Sequence, residues 1–391
     1  MSILTLQPES FTHTYEWMTD VLVSINGNEQ RISIRQEPRQ NFAMSHLADS
    51  DEEIQQWRYE LFTGIDGVWT IPIWPESETT TSESTTGGST IDADFTMMDD
   101  ALGAWAFLIA DPELQTYEIV FFVSRTSTTL TILGTLSSTY PTGSSITPLE
   151  QCLVQNNSGY QAMSVNAASV EMDFQQYSSN VLSGKGATAL TLHNTIPVLD
   201  RRPEEGSDSF FGLMTRLDYG HKTYVLSEQV FANITSSRSY TSRGKADRQW
   251  WKLFLSTVRG QLKPFYCSTY RPDMTIDSQP AQAATTIDVV DDATVAGIND
   301  ATGWESSLAH AELAIDTADD DTQYVTMTAA VDNGNGTHTI TITPALTNTE
   351  AGSTVLNISF LELSRLGSDS VQIEHLHDSR TVNLSTRTIQ A

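Results

Sequence analysis

Two histidines in "EHLHD" (Glu374 to Asp378) form the densest group of metal-ligating side chains in the sequence. On a strand, His375 and His377 share one face, and paired imidazoles are the beginning of a zinc site. No third ligand accompanies them, so outward polar positions on a late strand explain the pair better. "DTADDDTQY" (Asp316 to Tyr324) concentrates four aspartates, and oxygen-rich loops suit calcium. The spacing fits no EF-hand and lacks the closing bidentate Glu, so a solvated acidic loop is the plainer reading. "DNGNG" (Asp332 to Gly336) is likewise better explained as a hairpin turn. Glycoside hydrolysis needs two positioned carboxylates, and no pair stands out among the many acids. There is no phosphate-binding glycine loop, dinucleotide fingerprint, nucleophile elbow or metalloprotease helix. The expectation is a non-enzyme with no catalytic, cofactor-binding or metal residues.

One charge feature stands apart. Arg238, Arg243, Lys245, Arg248, Lys252, Arg259, Lys263 and Arg271 share 34 residues with a single acid, Asp247. That stretch carries +7 in a chain of net −28, leaving −35 elsewhere. A basic strip on an acidic protein suits a complementary self-interface or an acidic neighbour. An ordinary solvated helix face is the alternative. These eight residues are the candidate interface. Only five of the 21 basic residues are lysine. An acidic surface argues against duplex binding by phosphate neutralisation. It is compatible with a high-salt habitat, with calcium binding, or with a wall that nucleic acid slides past.

The elements that would position these residues are mostly strands. Ser and Thr are abundant and Leu-rich helical segments few, which favours β structure. "QRISIRQ" (Gln30 to Gln36) alternates, so Ile32 and Ile34 are expected on a buried face. "SDEEIQQWRYELF" opens with Ser50 as N-cap and Glu53 as its capping-box partner, with Ile54, Trp57 and Leu61 on the inner face. A second helix is expected to start at Asp247 and to bury Trp250, Leu253, Phe254 and Thr257. "AVDNGNGTHTITITP" reads as a hairpin with Ile340 and Ile342 inward. "ESETTTSESTTGGS" (Glu76 to Ser89) has no apolar residue and reads as a mobile loop. Cys152 and Cys267 do not occupy equivalent places and read as small buried hydrophobes in a reducing compartment. No run is long enough to span a membrane, and the N-terminus lacks a signal-peptide layout.

The chain also repeats itself. "QQWRYELFTGIDGVWTIPIWPE" from Gln55 is echoed by "RQWWKLFLSTVRGQLKPFYCSTYRPD" from Arg248, with Trp57 matching Trp250 and Gly67 matching Gly260. "STIDADFT" from Ser89 answers "TTIDVVDD" from Thr285. The run from Thr116 to Ile146 answers that from Gln323 to Val355, and "SVEMDF" from Ser169 answers "SVQIEH" from Ser370. Order is kept throughout, which indicates two copies. The expected organisation is mainly β with short helices: two tandem, similar β-rich domains of sandwich or barrel type, each with an inserted subdomain. The first spans 1–180 with an insert at about 77–160. A Gly-, Pro- and Ser-rich linker follows at 181–209, and the second copy spans 210–391 with an insert at about 276–360.

The stretch "YEWMTDVLVSINGNEQRISIRQEPRQNF" resembles the start of tail proteins of long-tailed bacteriophages, through Tyr15, Trp17, Thr19, Asp20, Val21, Glu29, Gln30, Arg31 and Arg35 to Arg39. "RQWWKLFLSTVRGQLKPFYCSTYRPDM" and "VLNISFLELSRLGSDSVQIEHLHD" look like the same group of virion tail or tail-tip (distal tail or hub-like) proteins. The resemblance implies a β-rich, non-catalytic structural component of the tail tip or baseplate, forming a ring around the DNA channel. Its partners would be itself, as a trimer or hexamer, and other tail proteins such as tube, hub or tape-measure. DNA would pass without specific binding, and the protein would be made in the host cytoplasm and located in the virion. Two linked copies let three chains imitate a six-fold ring, or let six chains each use one copy for the ring. The alternatives are a receptor- or glycan-binding β-sandwich, which requires exposed Trp57, Trp250 and Trp251, and a polysaccharide-degrading enzyme, which requires a cleft with two carboxylates.

Overall fold

The computed structural model describes residues 2–3, 8–23, 29–64, 67–98, 106–111, 116–155, 159–163, 167–177, 182, 184–211, 214–218, 223–227, 233–281, 283–290, 311–317, 321–347, 355–376 and 379–389. Among the described residues the fold is mainly β with two α-helices. In the first half the order is β1 (Ser2–Ile3), β2 (Ser10–Glu16), β3 (Thr19–Val23), β4 (Glu29–Ser33), β5 (Arg39–Ala48), α1 (Asp51–Gly64) and β6 (Val68–Pro72). There follow β7 (Glu78–Thr79), β8 (Thr90–Asp92), β9 (Ala106–Asp111), β10 (Thr116–Arg125), β11 (Thr129–Leu133), β12 (Ser145–Val154), β13 (Gly159–Ala162) and β14 (Ala168–Gln176). The second half runs β15 (Leu192–His193), β16 (Ile196–Leu199), β17 (Glu205–Phe211), β18 (Met214–Asp218), β19 (Thr223–Ser227), β20 (Asn233–Arg243), α2 (Gly244–Val258) and β21 (Phe265–Ser268). It ends with β22 (Thr286–Val290), β23 (Glu312–Thr317), β24 (Thr322–Asp332), β25 (Thr337–Thr343), β26 (Val355–Leu366), β27 (Ser370–Leu376) and β28 (Ser379–Thr388).

One pairing scheme occurs twice. In the first half β1 runs parallel to β6, β2 pairs with β5, and β3 with β4. Strand β12 pairs with β6 and β14, and β14 with β5 and β13. The insert sheet has the order β8-β11-β10-β9-β12. In the second half β16 runs parallel to β21, β18 pairs with β19, β26 with β21 and β28, and β28 with β27. Pairings β17 with β20 and β20 with β28 follow the same scheme, and the second insert is ordered β22-β25-β24-β23-β26. Strand β27 also pairs with β2 of the first half, which has no counterpart in the scheme among the described residues. By partners, β28 is the counterpart of β14 and β27 that of β13. The expected match of "SVEMDF" to "SVQIEH" is therefore off by one strand, because two short alternating strands look alike until their neighbours are known. The compact units draw on both halves. Unit 1 comprises Met1–Ala189, Ser239–Leu262 and Ser368–Leu384, and unit 2 comprises Leu190–Arg238, Lys263–Gly367 and Ser385–Ala391. The first break between them, at Ala189 and Leu190, falls inside the expected linker at 181–209, and the later exchanges at 238/239, 262/263, 367/368 and 384/385 lie within the expected second copy.

Helix α1 matches its expected start. The Ser50 hydroxyl accepts from the Glu53 amide at 3.3 Å, and the Glu53 carboxylate accepts from the Asp49 amide at 3.2 Å. Ile54 and Trp57 are buried with Phe42, Met44, Trp69 and Phe174. Helix α2 starts earlier than expected. Arg243 holds the cap position, and Asp247 lies inside the first turns, its carboxylate accepting from the Arg243 amide at 3.2 Å. Trp250 and Phe254 are buried as expected, joined by Trp251, Leu255 and Val258, while Leu253 and Thr257 are half-buried. Gly260, just beyond the helix, has φ +63, and a Cβ there would meet the Asp369 carboxylate at 2.4 Å.

Two further expectations are overturned. Ile32 and Ile34 are exposed, not buried, because β3 and β4 form a two-stranded sheet of their own. The segment from Glu76 to Ser89 is not a free loop. Glu76, Glu78, Thr80 and Ser84 are buried, and the backbone is tied at Thr80 to Ser144 and at Ser84 to Tyr140. Glu76 and Glu78 are inside because they meet cations there, and the Thr80 hydroxyl donates to the Pro141 carbonyl at 3.0 Å. The Asn-Gly hairpin is as expected: β24 and β25 flank turn glycines Gly334 and Gly336, with Ile340 and Ile342 buried. Cys152 and Cys267 are both buried and form no disulfide, and Arg238 Nη1 donates to the Cys267 sulfur at 3.1 Å.

Candidate interface site

The eight basic candidates do not form one surface strip. In unit 1, Arg248 and Lys252 on α2 are buried, at 3 % and 4 % exposure. Both reach Glu76, Arg248 Nη2 at 2.8 Å from Oε2 and Lys252 Nζ at 2.5 Å from Oε1. Lys245, one turn earlier, pairs with Glu78. Helical spacing puts 245, 248 and 252 on one side of α2, and that side faces the 3-10 turn at Trp74–Glu76 and β7. Arg259 has a left-handed backbone, φ +56, and its Nε donates to the Ser256 carbonyl. Arg243 is exposed, as is Lys263 in unit 2. In unit 2, Arg238 is buried and donates to the Ser268 carbonyl at 2.6 Å, and Arg271 pairs with Asp208 on the surface. The strip expected to face a neighbour is thus interrupted by three cations that serve the interior. Sequence reasoning missed Glu76 and Glu78, which sit in a stretch whose composition looks solvated.

Burial and charge set the protonation of this cluster. Burial works to raise the Glu76 carboxyl, but the charges of Arg248 and Lys252 overcome it and bring it down to about 2. Desolvation, helped by the Lys252 charge, lowers His13 to about 3, and its Nε2 lies 2.9 Å from Gln40 Oε1. His46 falls to about 4 by burial. His375 lies well below its ordinary value, mainly by burial, and its Nδ1 accepts from Arg380 Nε at 3.0 Å. Arg380 in turn donates to the Gly244 carbonyl at 2.9 Å. This arrangement fixes α2; it presents no nucleophile or exposed acid-base pair. His377 and Asp319 lie outside the described residues, and among the described residues no group of side chains is placed to hold a metal ion.

The inserts offer a second kind of candidate. In insert 1, β10 sends Val120 into the core and Tyr117 and Phe121 outward, with Val123 at a bulge and Leu133 opposite Phe121. These four are 50–70 % exposed. Insert 2 has the same register and the same bulge, and the corresponding residues are Thr322, Thr326, Thr328 and Thr343. Its outward face is partly closed by its own chain. His193 Nε2 lies 2.5 Å from Glu312 Oε2, and Asn194 Nδ2 donates to Glu312 Oε1 at 3.2 Å and to Thr326 Oγ1 at 3.4 Å. The sequence carries this contrast openly: "TYEIVFF" is apolar on both sides where "TQYVTMT" is apolar on one.

The aromatic residues that a glycan platform would need are not exposed: Trp57, Trp250 and Trp251 are 4 %, 2 % and 1 % accessible. A polar groove of about 490 Å³ in unit 1 is lined by Arg35, Glu37, Arg39, Gln40, Gln175 and Tyr177 among others, without a tryptophan or a carboxylate pair. No helix among the described residues is long and apolar enough to cross a membrane. No protein-family model matches the chain, and no curated protein is similar to it at a significant level.

Proposed function

We propose that this chain is a structural, non-catalytic component of a long-tailed phage tail, at the tail tip or baseplate, and that copies of it form a ring around the DNA channel. The observation that carries the reading is the recurrence of one strand-pairing scheme within one chain, added to the resemblance of its N-terminal segment to tail proteins. A chain with two like halves supplies two quasi-equivalent segments of a closed wall, so three chains make six. The net charge of −28 suits a wall that DNA passes without sticking, since like charge repels the phosphate backbone. Other tail proteins, of the tube, hub or tape-measure kind, are the neighbours in this reading, and the assembled virion is its location.

The test is the assembly itself. Class averages and mass measurement of the purified protein at micromolar concentration, alone and with tail partners, are expected to give a trimer or hexamer with a central hole. A particle that stays monomeric alone and in isolated virions overturns the proposal. Appreciable duplex binding at physiological salt would overturn the passive-wall part.

A further inference from the structure

We infer that the outward face of the insert 1 sheet is a self-docking surface, and that its occupant is the β3–β4 hairpin of a second copy of the chain. The inference rests on the ring reading and names the two surfaces that join in it. The contrast between the inserts is its first support. Tyr117, Phe121, Val123 and Leu133 are exposed apolar residues at positions where the other insert, with identical pairing, has threonine every time. Four independent exposures of large apolar groups on one sheet face carry an energetic penalty in water, and patches of this kind mark contact surfaces. In unit 2 the corresponding face receives Leu192–His193 and Asn194 from its own chain, so it is a place where an added segment seats.

The occupant follows from shape and charge. Strands β3 and β4 form a separate two-stranded sheet, one side of which is tied down by Thr19 to Asp369 and by Arg31 to the Gln261 carbonyl. A hairpin whose other, apolar side faces water is marginal without a cover there. The Ile34 amide donates to the Met18 carbonyl, and Asp20 pairs with Ile32 and Leu22 with Gln30. Met18, Leu22, Ile32 and Ile34 therefore share one face, and they are 46–59 % exposed. Two flat apolar sheet faces pack against each other with interdigitating side chains. Like-charged copies repel at distance, so contact is cheapest where acids are few, and on these two faces Asp20 is the one acid among the residues named. Because the two patches differ, the contact is heterologous and propagates from copy to copy, as ring closure requires.

The experiment uses the full chain. Single variants Phe121→Cys and Leu22→Cys are mixed and treated with a short bis-maleimide linker, the natural Cys152 and Cys267 being buried. Cross-linked dimer is expected in the mixture and not with either variant alone. In parallel, Tyr117→Thr/Phe121→Thr/Leu133→Thr imports the residues that insert 2 tolerates, and its self-association by sedimentation is expected to weaken by about tenfold or more. If the wild type oligomerises while the folded threonine variant associates equally well, the docking surface is wrong and the ring reading stands. Cross-linking of Phe121→Cys with itself overturns the heterologous contact in favour of a symmetric one. A wild type that remains monomeric throughout fells both proposals.

Discussion

Helices α1 and α2 occupy the same place in the repeated strand order, between β5 and β6 and between β20 and β21, yet their surroundings differ. Helix α1 is amphipathic in the ordinary way: Ile54 and Trp57 are inside while Tyr59 and Phe62 are 67 % and 88 % exposed. Helix α2 buries five consecutive residues, Arg248 to Lys252. No single helical stripe can do that, so α2 must be enclosed on several sides. Glu76 meets its cations, Arg380 reaches its first carbonyl, and Gly184 approaches so closely that a Cβ would lie 2.5 Å from the Gln249 carbonyl oxygen. The pairing scheme recurs along the chain while what each element touches differs. Propensity and pairing are properties of the repeat; burial is a property of the position.

The difference between the helices is broken most directly at Glu76. Replacing it with Gln leaves Arg248 and Lys252 buried without their counter-charge, and losing one partner of such a pair costs about 3–5 kcal/mol. Glu53→Gln, its opposite number at the start of α1, touches only a cap and should cost about 1 kcal/mol or less. Urea melts of the two variants measure both. Equal losses would mean that α2 is not held by its charges. Trp57→Ala and Trp250→Ala should each lose about 3–5 kcal/mol, since both rings are core in spite of the different settings. A change within error at either site would place that ring outside the core.

Acid sharpens the same contrast. The folded pKa of His13, about 3, lies below its unfolded value of 6.5, so the unfolded chain binds the extra proton first. Stability from that group is full above pH 6.5 and is lost as pH falls from there toward 3, amounting to a loss on the order of 3 kcal/mol at pH 4. His46 acts in the same direction down to about 4. Glu76 contributes its own loss only from 4.5 downward, toward about 2. The urea midpoint should therefore decline between pH 6.5 and 4.5 before carboxylates matter. His13→Gln, which keeps an amide beside Gln40, should flatten that part of the curve. An unchanged slope in the variant would show that His13 is not buried neutral.

Much of the scaffold was legible from local pattern. The capping box at Ser50, the Asn-Gly hairpin before Ile340, and the burial of Trp57 and Trp250 on their helices all rest on interactions or spacing within a few residues. What escaped was decided at long range. Glu76 and Glu78 look solvated until α2 brings Lys245, Arg248 and Lys252 to them from more than 160 residues away. Ile32 and Ile34 alternate like a buried face, but alternation says only that one side differs, not that anything lies over it. Three of the candidate cations, Arg238, Arg248 and Lys252, are inside for the mirror reason: net charge along the chain does not reveal which side chains turn inward.

The smallest expected effect is also the one that separates stability from association. Phe121→Thr places on the outward face of insert 1 the residue that insert 2 carries as Thr326 in the same register. An exposed position away from core, cap and charge network changes stability by about 0.5 kcal/mol or less. Val120→Thr, one residue earlier, turns into the core beside Phe107 and Ile109 and should cost about 1–3 kcal/mol, because a hydroxyl is buried where a methyl was. Measured on dilute protein, where copies are apart, the pair tests which side of β10 is the inside. If Phe121→Thr proved as costly as Val120→Thr under those conditions, Phe121 would be serving its own fold. The contrast of four apolar residues with four threonines would then reflect packing within one chain, not contact between two.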